Sequence, residues 1–188
     1  MKTVFIGGSR KLSRLNEQIR SKLAEITERK LHVLVGDANG ADRAVQAQLR
    51  DWGYESVTVF FVGSAPRNNE GGWPTERVAV SASARGADYY GAKDVVMART
   101  AEAGLMIWDG ESKGTLANVK NLVREHKPVA VYVSKQRRFR NVRSEAELRE
   151  LSSLDSSERA SSESEAHPEL PLGVPSRGPT RKRRRRAV

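Results

Sequence analysis

Five short apolar runs alternate with amphipathic stripes, and this alternation limits the chain more than any other feature. The runs are Thr3–Ile6, Leu31–Val35, Val57–Val62, Gly104–Trp108 and Val129–Val133. Their apolar residues are consecutive, as in strands covered on both faces. Between the runs, Leu12, Leu15, Ile19, Leu23 and Ile26 recur at helical spacing, and so do Ala41, Ala44, Val45, Leu49 and Trp52. Gly53 is placed to end the second stripe. Tyr89–Ala101 reads as a third helix, and Leu116, Val119, Leu122 and Val123 mark a fourth. Strands alternating with helices predict an α/β fold, a three-layer α/β/α sandwich around a mostly parallel five-stranded sheet. Right-handed crossovers leave few topologies, and the strand order expected is 3-2-1-4-5.

That order reverses direction between the first and fourth strands, and ligands of such sheets bind at the carboxyl ends flanking the reversal. Three strand ends there carry glycine-rich punctuation: GGSR, GDANGAD and WDGESKGT. Glycine lets a backbone approach a ligand closely. The helix that follows offers unpaired N–H groups and a partial positive charge, which suits phosphate. Each such end contributes about 0.3–2 kcal/mol to holding an anion. The candidate ligand-binding residues are therefore Gly7, Gly8, Ser9 and Arg10, then Gly36, Asp37, Asn39, Gly40 and Asp42, then Trp108, Asp109, Gly110, Ser112, Gly114 and Thr115. Arg10, read at the start of the first helix, opposes that helix dipole unless an anion sits beside it. Asp37 or Asn39 caps a helix or meets a ribose hydroxyl, and Asp42 is a first-turn helix charge or a hydroxyl acceptor. Asp109 is a loop cap, a ribose ligand or a general base. Trp108 closes a strand as core or stacks on a base. Residues 63–86 form a long loop in which Arg67, Trp73 and Arg77 are a lid, an interface or simply exposed. Neither GxGxxG nor GxxxxGK[ST] is present.

Composition bounds the rest. Hydrophobic residues make up 38% of 188, and the shortfall falls after residue 134, where Ser, Glu, Arg and Pro dominate. Residues 1–134 are expected to form the folded domain. Residues 135–188 are expected to be a largely disordered basic tail, with a short helix over 144–154 behind a Ser144–Glu147 capping box. The net charge of +10 is concentrated in Arg181, Lys182, Arg183, Arg184, Arg185 and Arg186, a candidate contact for nucleic acid or an acidic partner. There is no cysteine, and three scattered histidines have no metal-ligand spacing, so no metal or cofactor is expected. The first ten residues do not read as a secretory signal, and no apolar stretch approaches the roughly 20 residues of a membrane span, so a cytoplasmic location is expected.

GGSR, GDANGADRAVQ and KDVVMARTAEAGLMIWDGESKGTLANVKNLVREHKPVAVYV together resemble the SLOG superfamily of Rossmann-like nucleotide-binding proteins, nearest its YspA/YpsA-related branch. The resemblance spans residues 2–133. More distantly, the chain is similar to the Lonely-guy phosphoribohydrolases and the DNA-processing protein DprA. The resemblance implies a nucleotide or ADP-ribose-like ligand, bound and sensed over the carboxyl edge of the sheet, and a homo-oligomer. Phosphate would lie on Gly7, Gly8, Ser9, Gly36, Gly40, Gly114 and Thr115, with Asp109 and Asn118 near the sugar. The phosphoribohydrolases carry PGGxGTxxE, and here Asn118 stands where that glutamate would be. A neutral amide cannot act as base or stabilise an oxocarbenium cation, so hydrolysis would fall to Asp109 or Asp37. The reading that follows is nucleotide binding. The alternatives are N-glycoside hydrolysis and nucleic-acid binding through the Arg-rich tail.

Overall fold

The structure is a computed structural model and describes residues 2–153. The elements run β1 (Thr3–Gly8), α1 (Glu17–Glu28), β2 (His32–Gly36), α2 (Ala41–Asp51), β3 (Val57–Phe61), β4 (Thr75–Arg77), α3 (Gly86–Thr100), β5 (Ala103–Trp108), α4 (Lys113–Arg124), β6 (Val129–Val133) and β7 (Arg138–Val142). A further helix, α5, covers 145–153. The strand order is β4-β3-β2-β1-β5-β6-β7. The middle five match the expected 3-2-1-4-5, but the sheet has seven strands, not five.

Both additional strands lie at edges and lack an apolar run. β4 is Thr-Glu-Arg, wholly exposed, and pairs in parallel with β3 inside the segment expected to be loop. β7 is Arg-Phe-Arg-Asn-Val and pairs antiparallel with β6. Charged, short edge strands resist pairing with other chains. The same property hides them from hydrophobic patterning. The core also continues past residue 134, because Val142, Leu148 and Leu151 are buried with residues of β5, β6 and α4. The Arg-rich segment 181–186 lies outside the described residues.

Alternation along each strand builds the two outer layers. Val4 and Ile6 of β1 face the α1 and α2 side, with Ile19, Leu23, Val45 and Leu49. Phe5 faces the α3 and α4 side, with Met97, Val119 and Leu122. Asn16 caps α1 by accepting the Ile19 N–H at 3.0 Å. The chain from Ser9 to Asn16 is thus a loop, and Arg10 stands in it rather than at a helix start. The conflict with a helix dipole expected for Arg10 is absent. No helix among the described residues is long and apolar enough to cross a membrane.

Candidate functional site

The reversal between β1 and β5 opens a cleft of about 410 Å³ at their carboxyl ends. The β1–α1 loop supplies Ser9, Arg10 and Lys11, and α4 supplies Gly114, Thr115 and Asn118. The far wall is α3, with Tyr90, Lys93 and Asp94. Of the residues chosen from sequence, Gly7, Gly8, Ser9, Arg10, Asp42, Asp109, Ser112, Gly114, Thr115 and Asn118 line it. Gly36, Asp37, Asn39, Gly40, Trp108 and Gly110 do not.

Ser9 and Asp109 join the two strand ends that flank the reversal. The Ser9 hydroxyl donates to Asp109 Oδ2 at 2.6 Å, while Asp109 Oδ1 accepts the N–H groups of Glu111 at 3.0 Å and Ser112 at 2.7 Å. Burial works to raise the Asp109 carboxyl, but the Ser9 bond and the two N–H groups outweigh it and hold it below the usual range. A carboxylate so occupied is a poor base, and Asp109 acts here as a clamp on the β5–α4 loop. Ser112 caps α4, accepting the Thr115 N–H at 3.3 Å.

The amino end of α4 is open. A Cβ built on Gly114 would meet nothing within 4 Å. One turn further on, Asn118 is only 8% exposed, lines the cleft, and has no hydrogen-bond partner for its side chain among the described residues. A buried unpaired amide costs about 1–3 kcal/mol. Asn118 is therefore a group waiting for a partner that enters the cleft.

The β2 side is closed instead. A Cβ on Gly40, the α2 N-cap at φ +83°, would overlap the Arg10 backbone. A Cβ on Gly36 would lie 2.5 Å from Asp42 Oδ2 and 2.8 Å from Lys93 Nζ, and at the neighbouring end of β1 one on Gly8 would overlap the Ile107 carbonyl of β5. These glycines make room for protein rather than phosphate. Asp37 is fully buried and takes a forked pair from Arg67, Nε to Oδ2 at 2.8 Å and Nη2 to Oδ1 at 2.6 Å, plus the Arg67 N–H. Burial raises the Asp37 carboxyl, yet the Arg67 bonds and charge, with Lys93 behind them, bring it below the usual range. Asn39 is engaged by Asn68 at 2.9 Å, and the Lys135 stem packs where a Gly110 Cβ would be.

Two tryptophans behave as core. Trp108 is 2% exposed with its Nε1–H donating to the Ser112 carbonyl, so it offers no face to a base. Trp73 is 5% exposed with its Nε1–H on the Tyr54 carbonyl, and Arg77 lies in exposed β4, so neither forms a lid. Arg67 alone of the three lines the cleft, its guanidinium 5.0 Å from the Tyr90 ring centre.

Sequence reasoning does not single out Lys93, because an adjacent Lys-Asp on a helix is ordinarily a solvated pair. It is 3% exposed, and its Nζ donates to Asp94 Oδ1 at 2.6 Å. Burial lowers the Lys93 ammonium, but Asp94, Asp42 and Asp37 outweigh it and leave it raised. Asp42 is pushed up to about 6, first by burial, with Asp94 and Asp37 adding and Lys93 opposing. No local pattern announces this cluster, because its members come from α2 and α3. No group of three metal-ligating side chains occurs among the described residues.

No protein-family model and no curated protein matches the chain. A solved structure of DNA processing protein A from Helicobacter pylori, described for its single-stranded DNA binding mode, superposes with a TM-score of 0.54 at 16% identity, covering 85% of this chain and 81% of that one. The chain therefore shares the mainly parallel, Rossmann-type α/β fold of DNA processing protein A.

Proposed function

We propose that the chain binds single-stranded nucleic acid, seating one nucleotide unit in the cleft between β1 and β5. The observation that carries this reading is Asn118, buried and unpartnered beside the open amino end of α4. A phosphate meets the free N–H groups at that end, and Asn118 meets the sugar or a phosphate oxygen. Tyr90, 42% exposed on the opposite wall, offers a stacking surface for the base. The fold shared with a single-stranded DNA-binding protein supports a strand over a free nucleotide. The motifs GDANGAD and WDGESKGT support placing the chain in the SLOG superfamily, in its YspA/YpsA-related branch.

A second reading is a free mononucleotide or ADP-ribose-like ligand, favoured by a cleft volume of about 410 Å³ that suits one nucleotide better than a long ligand. Hydrolysis is not part of the proposal, since both oxygens of Asp109 are engaged.

Anisotropy of labelled dT12 with the full chain, competed by AMP and by ADP-ribose, separates these readings. Expected is dT12 binding that Gly114→Asp weakens at least tenfold with thermal unfolding unchanged. The Arg-rich segment is present in both proteins, so the difference reads the cleft. Tight AMP or ADP-ribose binding without dT12 binding moves the assignment to the second reading. Equal dT12 binding by both proteins overturns the cleft as the site.

A further inference from the structure

A second hollow, of about 290 Å³, lies across the β1–α1 loop from the cleft. It sits on the other face of the sheet: Ile107 and Tyr132 in its wall belong to the α1-side core, whereas the cleft wall includes Phe5 of the α4-side core. One loop forms the wall between them, with Ser9, Arg10 and Lys11 toward the cleft and Leu12 and Arg14 toward the hollow. The other rim of the hollow is the β6–β7 turn, which contributes Ser134 and Arg137.

The chemistry of this hollow is one-sided. Arg14 and Arg137 both line it, both are exposed, and neither guanidinium has a hydrogen bond or ion pair among the described residues. Among the described residues no carboxylate lines it. Neutral donors and acceptors complete it, with Asn16 joined to the Tyr132 hydroxyl. Arg137 has φ +50°, a left-handed conformation that costs a residue with a side chain roughly 1 kcal/mol. Glycine or asparagine would close this turn more cheaply, so the fold holds an arginine where turn chemistry does not favour one.

Both rims carry further cations, of which Lys11 and Lys135 share Glu111 at 2.8 and 3.5 Å and Arg140 pairs with Glu150 at 3.3 Å, so that in the hollow Arg14 and Arg137 are the ones left for a ligand. Residues 9–16 carry Arg10, Lys11 and Arg14 with no acid, and residues 134–143 carry Lys135, Arg137, Arg138, Arg140 and Arg143 with no acid. Gln136 Oε1 accepts from Arg138 Nε at 3.1 Å and Arg140 Nε at 3.3 Å, which holds the two side chains together along the hairpin. The chain keeps two cationic segments, distant in sequence, side by side at one sheet edge.

We infer that the hollow is a second phosphate site, and that a strand seated in the cleft crosses the β1–α1 loop to place its next phosphates on Arg14 and Arg137, running on along the β6–β7 hairpin. The inference rests on the nucleic-acid reading of the cleft and extends it from one nucleotide to a path. Flexible cations that line a groove without internal partners suit a backbone that carries a charge at every step.

The test uses the full chain carrying Arg14→Gln with Arg137→Gln. Both positions are exposed, so thermal unfolding should match wild type. Each phosphate contact on a single strand adds about 0.7 to the log-log salt slope of binding. Expected is a tenfold or greater loss of dT12 affinity, a slope shallower by about 1.4, and unchanged competition by the dinucleotide pdTpdT, which is too short for the path. Unchanged dT12 affinity and slope in the double variant, with Gly114→Asp still defective, overturns the path and leaves the cleft standing. Equal loss for dT12 and pdTpdT overturns it too, since the arginines would then serve the cleft. If Gly114→Asp is also without effect, the cleft reading fails and the path with it.

Discussion

The ends of β2 and β5 look alike as sequence and differ as structure. GDANGAD and WDGESKGT each place two glycines and two acids where an apolar run gives way to a helix. At the end of β2 the space the glycines leave is filled by Arg10 backbone, Asp42 and Lys93. At the end of β5, Gly110 is covered by the Lys135 stem, but Gly114 faces nothing within 4 Å and Asn118 beneath it has no partner. A glycine-rich strand end is thus a statement that something comes close. Whether the close neighbour is protein or ligand is decided by the rest of the fold.

The largest effect expected comes from exchanging the two kinds of glycine for alanine. Gly40 combines φ +83° and ψ −126°, a region that residues with a Cβ avoid, with direct overlap on the Arg10 backbone, which cannot rotate away. Strain and overpacking together put the cost of Gly40→Ala at about 4 kcal/mol. Gly114→Ala, in the first turn of α4 with open space around it, should change stability by less than about 1 kcal/mol. Urea unfolding of both variants checks this contrast. Similar small losses at both positions would show that the β2 end is not closed as described.

What was legible in the sequence follows the same division between local pattern and distant contact. The five inner strands and their order were readable because each is a continuous apolar run covered by helices. β4 and β7 were not, because a strand on a sheet edge with charged side chains satisfies its backbone on one side only and needs no apolar run. In the cleft, Ser9, Gly114, Thr115 and the reversal between β1 and β5 were found from punctuation at strand ends. Lys93 and Asp94 were not, since an adjacent Lys-Asp on a helix is ordinarily solvated, whereas here Lys93 is buried beside Asp37 at the end of β2 and Asp42 in the first turn of α2. Trp108 was open to either reading, and its burial follows from α4 lying over the end of β5.

The next largest effect tests how firmly the β2 side is closed. Arg67→Ala removes two of the three hydrogen-bond donations to Asp37 and keeps the one from the backbone, leaving a fully buried carboxylate with Lys93 as a compensating charge. Removing one partner of a buried pair costs about 3–5 kcal/mol, and because the Arg67 side chain is 38% exposed the low end applies, about 3 kcal/mol. The Arg67→Ala, Asp37→Asn double variant should recover part of that loss, since no unpaired charge is then left behind. Denaturant midpoints of the two variants decide it, and a double variant no better than the single would mean that packing rather than charge holds this loop.

The smallest effect is a pH dependence confined to the closed side. The Asp42 carboxyl is raised from 3.8 to about 6, so the folded chain binds that proton more tightly than the unfolded chain does. Its contribution is therefore full below about pH 4, where both states are protonated, and is lost as pH rises toward 6. Two pH units of this titration amount to about 2 kcal/mol between pH 4 and 6. Asp37 and Asp109 have lowered values, and their stabilisation has the opposite sign: present above about pH 4 and lost as pH falls through their folded values. Asp42→Asn should thus remove a decline in stability with rising pH between 4 and 6, and leave the acid limb set by Asp37 and Asp109 in place. Urea unfolding at pH 4, 5, 6 and 7 reads both limbs in one series. A variant that keeps the wild-type slope between pH 4 and 6 would show that Lys93 holds Asp42 ionised. The closed end of β2 would then be an ion cluster at every pH, rather than one that takes up a proton as the medium turns mildly acidic.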